Sequence, residues 1–119
     1  MRAKLKGIFS DEFDPMNFSP VDKGCFYVTL RLLIGSLDSA GGDNFEVNVC
    51  TPRWPIENEK LMRWGRFLVI VSEYNYSEIS DFVSSYIDGC AGDHWDEVAL
   101  KLSRMFMWEF EDYVGCDGK

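Results

Sequence analysis

The sequence lacks most of the residues that mark an enzyme site. His94 is the only histidine among the 119 residues, and no serine lies in a Gly-x-Ser-x-Gly nucleophile elbow. A histidine-based hydrolytic triad is therefore not expected. Gly35, Gly41 and Gly42 lack the lysine and the following helix of a phosphate-binding loop, which argues against nucleotide binding. We expect a binding protein rather than an enzyme, with no cofactor.

Long apolar stretches and a secretion signal are also missing. The longest apolar run, residues 67–71, is far shorter than the roughly 20 residues that a membrane-spanning helix needs. The basic residues Arg2, Lys4 and Lys6 alternate with smaller or apolar ones, and no apolar segment with a cleavage site follows them. We therefore expect a cytoplasmic protein with no membrane partner.

The four cysteines do not have the spacing of a metal site. No two of Cys25, Cys50, Cys90 and Cys116 are separated by the two to four residues typical of zinc ribbons and redox motifs. Two disulfides would be possible in a secreted domain, but the missing signal favours reduced thiols that fill the core. No metal ligand is predicted.

Positive charge is scarce and unevenly distributed. Twelve Lys and Arg face 20 Asp and Glu, which gives a net charge of −8. This charge opposes binding to nucleic acid and favours a cationic protein partner. Residues 67–100 contain no Lys or Arg, and a second acidic group follows at residues 109–112. One end of the fold is therefore expected to be strongly negative.

The candidate binding residues combine these acids with two tryptophans of a connector that contains proline. Tryptophan contributes strongly to interface energy where it is exposed, although these two could instead close one end of the core. The candidates are Glu73, Asp81, Asp88, Asp93, Asp96, Glu97, Glu109, Glu111, Asp112, Trp54 and Trp64.

Period-two alternation predicts most of the sheet. The length and the 46% hydrophobic content favour one domain over residues 1–119, with about the last five residues as a tail. Alternation predicts an edge strand at residues 3–9, with Phe9 on its apolar face, and an antiparallel hairpin of residues 25–34 and 45–49. The continuous apolar run at residues 67–71 predicts a strand that is central or covered on both faces.

The remaining segments are expected to be helical. Prolines end the third strand near Thr51, and a short helix is predicted at residues 57–62. Asn75 is expected to cap the next helix and Asp93 the last one. Residues 108–113 could end that helix, with aromatics closing the core and acids in water, or form a recognition surface. The apolar helix positions are Ile79, Phe82, Val83, Tyr86, Ile87 and Cys90, then Trp95, Val98, Ala99, Leu102, Met105 and Phe106.

This order of elements predicts an α+β fold. Four strands precede two helices without strand-helix alternation, which is typical of an antiparallel four-stranded sheet with both helices packed on one face. The other face of the sheet must then find cover or stay exposed.

Several segments together resemble the immunity protein 8 family of bacterial polymorphic toxin systems. The resemblance covers about residues 1–113 and is most distinctive in Cys50-Thr-Pro-Arg-Trp54 and Trp108-Glu-Phe-Glu-Asp-Tyr113. Two longer segments, at residues 67–76 and 92–104, support it. The resemblance implies a cytosolic protein that binds a cognate toxin and protects the producing cell, without chemistry of its own.

Several binding and functional hypotheses remain at this point. In the leading one, the acidic candidates dock on a cationic toxin active site, such as a nuclease groove. In the second, Trp54, Trp64 and the exposed sheet face form the interface, with possible strand addition at a sheet edge. A regulatory or scaffold domain that shares the fold is an alternative, as is a small acid-base enzyme built on Glu109, Glu111 and Asp112.

Overall fold

The computed structural model describes residues 1–58 and 62–111, which contain five strands and three helices. The order confirms the predicted α+β class. The elements are β1 (Ala3–Phe9), β2 (Tyr27–Ser36), β3 (Asp43–Cys50), α1 (Arg53–Asn58), β4 (Leu68–Ile70), α2 (Tyr76–Asp88), α3 (Trp95–Leu102) and β5 (Met107–Trp108).

The sheet is mixed rather than wholly antiparallel. Its strands lie in the order β1-β2-β3-β4, and β5 pairs with the first half of β3. The predicted hairpin of β2 and β3 is confirmed, with Leu30 opposite Val47. β4 runs parallel to β3, because the connector that contains α1 carries the chain back before β4 begins.

The core lies between one face of the sheet and the helices α2 and α3. Alternation along β2 and β3 places every second side chain on this face, and the 3.6-residue period of the helices supplies the opposite wall. Both helices cover the same face, as predicted. The buried residues are Leu30, Leu32, Ile34, Phe45, Val47, Val49, Ile79, Val83, Ile87, Val98, Ala99 and Leu102. The other face carries the polar side chains of Thr29, Arg31, Glu46 and Asn48, which are exposed or half-buried, and we call it the open sheet face.

A bulge in β1 reverses the predicted orientation of its last residues. The pairing with β2 shifts between Leu5 and Gly7, so one extra residue changes the alternation from there on. Ile8 consequently packs on the core, whereas Phe9 is 42% exposed under the guanidinium of Arg31. The prediction for Phe9 is wrong because a two-residue period cannot reveal a bulge.

The predicted central strand is an edge strand. β4 has only three residues, pairs with β3 alone in the described part of the chain, and leaves Ile70 65% exposed. Only Val69 packs against the core from this strand. The chain enters β4 through Phe67, whose positive φ of 61° is uncommon for a bulky residue and makes the sharp turn that aligns the strand. The prediction is wrong because an apolar run does not specify how many neighbours a strand has.

The cap of α2 is confirmed, but one of its apolar positions is not. The Asn75 side chain accepts a hydrogen bond from the Glu78 amide at 3.0 Å. Phe82 is 66% exposed, because it lies on the flank of α2 beside the short β4, where no further strand of the described chain covers it.

The ends of the other helices differ from the predictions. α1 occupies Arg53–Asn58, since Pro55 is tolerated in a first turn, whose amides have no partner within the helix. Of the predicted helix at residues 57–62, residues 59–61 lie outside the described ones.

The start and end of α3 also differ from the predictions. His94, not Asp93, holds the N-cap position of α3, and its side chain makes no capping hydrogen bond. α3 ends at Leu102, which leaves Met105 exposed. Residues 107–108 form β5 because pairing with β3 replaces the predicted helix end.

Candidate functional site

The described groups with a shifted pKa are three thiols, two phenols and the guanidinium of Arg53. Burial raises the pKa of the Cys50 and Cys90 thiols, which lowers their thiolate fraction and makes them poor nucleophiles. Burial also raises the pKa of Tyr74 to about 12, with smaller contributions from Tyr76 and Asp14. Within residues 1–58 and 62–111, no group of three or more His, Cys, Asp or Glu could hold a metal ion.

The acids of α2, α3 and their flanking turns are exposed and carry no ion pair among the described residues. Two of them, Asp96 and Glu97, lie in the first turn of α3, where the helix dipole favours negative charge. We call this group the helix acidic surface. It consists of Glu73, Glu78, Asp81, Asp88, Asp93, Asp96 and Glu97.

Basic residues from outside the Lys/Arg-free segment approach one end of this surface. Arg2 forms a β-bridge with Ala91, and the Lys101 ammonium donates to the Ala91 carbonyl at 2.6 Å. Arg104 lies close enough to Cys90 to lower its pKa, although burial of the thiol outweighs this effect. No such contact with Lys or Arg reaches Glu73 in the described structure. Arg63 lies close enough to Cys50, the neighbour of Ile70 across β3 and β4, to lower the pKa of that thiol, although burial outweighs its effect. Glu73 itself has no described ion pair.

The second predicted acidic group contacts the start of β3 and the segment before β4. The Glu109 carboxylate accepts from the Asn44 amide at 2.9 Å, and Glu111 pairs with Arg66 at 2.8 Å. Both acids line a depression of about 480 Å³ together with Arg31 and other residues of the open sheet face. These contacts give Glu109 and Glu111 a structural role at the C-terminal end of the described chain. Asp112 lies outside the described residues.

The two candidate tryptophans differ in exposure. Trp54 is half-buried, and the centre of its ring lies 4.8 Å from that of Tyr27. The guanidinium of Arg63 also lies over the Tyr27 ring, 5.5 Å from its centre. Trp64 is 91% exposed and belongs to no described aromatic pair. Trp54 therefore contributes to packing at the end of the open sheet face, whereas Trp64 is accessible to a partner.

Asp43 connects two distant segments and was not singled out by sequence reasoning. Its Oδ2 accepts from the indole of Trp95 at 2.7 Å and from that of Trp108 at 3.0 Å. Asp43 thus joins the start of β3 to α3 and β5. Its position at the end of a glycine-rich turn indicates only a hairpin, so no local pattern could have revealed this role.

An exposed apolar pair lies beside the helix acidic surface. Ile70 and Phe82 line one depression of about 180 Å³, together with Glu73 and Glu78. Both apolar residues were expected in the core, so sequence reasoning did not include them among the candidates. The structure therefore brings exposed apolar side chains to the end of the helix acidic surface that contains Glu73 and Glu78.

Comparison with known proteins gives one match. No helix in the described ranges is long and apolar enough to cross a membrane. No curated protein and no solved structure matches the chain. A family model, Immunity protein 8, matches residues 3–113, which include every element described above. The match confirms the resemblance seen in the sequence and covers most of the chain. This protein therefore belongs to the immunity protein 8 family.

Proposed function

We propose that this protein binds a cognate bacterial polymorphic toxin and neutralises it by stoichiometric occlusion, with the helix acidic surface as the docking region. Membership of an immunity protein family supports the class of partner. The observation that carries the choice of surface is that all seven of its carboxylates are exposed and unpaired within the described chain.

Unpaired carboxylates are suited to this task because their field is not cancelled locally. An acid in an ion pair with arginine presents little net charge, whereas several unpaired acids on one side attract a cationic cleft from a distance. This attraction acts over about one Debye length, roughly 8 Å at physiological ionic strength. Charge then governs how fast the partners associate, and the apolar contacts govern how long the complex lasts.

The first test is stoichiometric inhibition. The toxin domain encoded beside this gene is expected to copurify with the full chain as a complex of one to one. Its activity should fall in proportion to added chain and vanish at one equivalent, because occlusion consumes one binding site for each toxin. Isothermal titration calorimetry and a toxin activity assay measure both quantities. Inhibition far below one equivalent with altered toxin would indicate catalysis, and absence of a complex would contradict the proposal.

The second test removes charge from the helix acidic surface. The triple variant Asp81→Asn/Asp88→Asn/Asp96→Asn is expected to slow association at low salt by about tenfold, since electrostatic steering contributes 10- to 1,000-fold to association rates. Stopped-flow kinetics at two salt concentrations measures the effect, and co-expression measures protection of the cell.

The control for this variant makes the same change in net charge elsewhere. Glu12→Gln/Asp38→Asn/Glu46→Gln neutralises three exposed acids, in loops and on the open sheet face, that have no described ion pair, and it should leave the association rate within about twofold. Equal rates for the two triple variants would reject the helix acidic surface. If Trp64→Ala then abolished protection with folding intact, the interface would instead consist of the tryptophans and the open sheet face.

A further inference from the structure

The outer edge of β4 is an unpaired strand edge. The Asn48 amide donates to the Phe67 carbonyl, and the Val71 amide donates to the Cys50 carbonyl, both at 2.9 Å. Residues 67 and 71 therefore face β3, and the alternation of a strand directs the backbone groups of Leu68 and Ile70 away from it. No strand of the described chain pairs with that side. Such an edge is a template for an added strand.

The opposite edge of the sheet, formed by β1, is covered at its start. Along β1, the Ala3 amide donates to the Cys90 carbonyl at 3.0 Å, and Arg2 bridges to Ala91. The turn between α2 and α3 therefore covers the start of β1, and Lys4 and Lys6 further along β1 carry the charge that discourages strand addition at an edge. No described segment does the same for β4.

Two large apolar side chains flank the β4 edge. The Ile70 side chain is 65% exposed on the strand, and Phe82 is 66% exposed on α2, and both line one depression. Exposed aliphatic and aromatic groups around a concave site are typical anchors for a partner. We call the outer edge of β4 and this depression the groove. It offers the outward backbone groups of Leu68 and Ile70 for hydrogen bonds, and the side chains of Ile70 and Phe82 for apolar contacts.

The charge around the groove identifies the kind of occupant. Glu73 and Glu78 line the same depression, and neither is in a described ion pair. A second copy of this chain at the edge would bring these carboxylates towards their own counterparts, which disfavours self-pairing. A basic segment would instead place its cations at the two acids. Charge complementarity therefore favours a cationic partner.

We infer that an extended, basic segment of the cognate toxin adds a strand to the outer edge of β4, packs apolar side chains against Ile70 and Phe82, and places Lys or Arg at Glu73 and Glu78. This inference rests on the proposed function, because it assigns the toxin a contact at one end of the helix acidic surface. The backbone of the segment supplies the pairing, and its side chains supply the selectivity.

The edge is tested by Ile70→Pro in the full chain, with the toxin domain encoded beside the gene as the probe. The proline removes an amide that faces away from β3, and edge strands tolerate proline, so the fold should be retained. The dissociation constant is expected to rise by about tenfold or more, in the range of interface hot spots. Ile70→Thr keeps the amide and the β-branched shape and should weaken binding less.

The apolar contact is tested by Phe82→Ser, with Leu100→Ser as the matched control. Leu100 is 62% exposed on α3, away from β4, so both variants replace an exposed apolar helix residue. Phe82→Ser should raise the dissociation constant by about tenfold, and Leu100→Ser should leave it unchanged. This pair of variants keeps the proposal testable if Ile70→Pro does not fold.

The charge of the occupant is tested by comparing two acid pairs. Glu73→Gln/Glu78→Gln is expected to slow association more than Asp88→Asn/Asp93→Asn, because Arg2 and Lys101 already lie near the second pair. The reverse order would overturn the basic occupant.

The outcomes separate this inference from the proposed function. If the wild-type chain binds and inhibits the toxin, but Ile70→Pro and Phe82→Ser bind it equally well, the edge proposal is overturned and the immunity function stands. If the wild-type chain forms no complex, the proposed function itself fails. If the chain alone is a dimer by sedimentation, and Ile70→Pro is a monomer with unchanged toxin affinity, the edge serves a second copy and the inference is overturned.

Discussion

Replacing Asp43 by alanine is expected to lower the free energy of unfolding by about 2–3 kcal/mol, because it leaves two partly buried indole N–H groups without their shared acceptor. Trp95 and Trp108 both donate to Asp43 Oδ2, at 2.7 and 3.0 Å. Bonds to a charged acceptor are stronger than neutral ones, but partial exposure lets water replace some of the loss. Urea unfolding followed by tryptophan fluorescence measures the change directly.

The matched control for this variant is Asp38→Ala, in the same turn region. The Asp38 side chain is exposed and takes part in no hydrogen bond described for it, so its loss should cost under about 0.5 kcal/mol. In a double-mutant cycle, Trp108→Phe should cost less in the Asp43→Ala background than alone, since its hydrogen bond is already gone. Additive effects in the cycle would contradict the shared-acceptor interpretation.

The hydrogen bond between Asp43 and Trp95 also affects the position of two acids of the helix acidic surface. Asp43 ties the start of α3 to the sheet through Trp95, and Asp96 and Glu97 follow directly in the first turn. A weakened bond would let α3 shift, which moves these two acids. Asp43→Ala is therefore expected to weaken the toxin complex even though Asp43 lies outside the helix acidic surface.

Replacing Gly35 by alanine is the second large effect, with an expected loss of about 1–3 kcal/mol from overpacking. A Cβ atom at Gly35 would lie 2.9 Å from the carbonyl carbon of Gly41, closer still to its oxygen, and 3.0 Å from Cα of Gly42. All three are backbone atoms, so no side-chain rotation can relieve the clash. The turn between β2 and β3 would have to move.

Gly41→Ala is the control in the same turn. A Cβ atom at Gly41 meets nothing within 4 Å, so this variant tests the loss of a glycine without a steric clash. Denaturant unfolding of both variants should separate them by more than about 1 kcal/mol, the lower end of the cost of overpacking. Equal stabilities would mean that the close approach across the turn is not a packing constraint. Gly35 and Gly42 therefore allow the close backbone approach within the hairpin.

The sequence by itself determined the elements whose pattern is local. Alternation along β2 and β3 gave a buried face with Leu30 and Phe45 at its centre. The period of α2 and the cap at Asn75 were equally readable, because a cap needs only a side chain and the amide three residues later. The family was recognisable for a similar reason, since its resemblance depends on the order of short segments along the chain.

Only the tertiary structure decided which groups meet across the chain. The bulge in β1, the edge position of β4 and the pairing of β5 with β3 depend on partners distant in sequence. The same holds for Arg2 and Lys101, which contact Ala91. Their presence there could not be predicted, because Ala91 lies in a segment without Lys or Arg. Ile70 and Phe82 show the reason most directly, because both are apolar and yet exposed. Hydrophobicity predicts that a side chain avoids water, but its exposure depends on whether another element packs against it.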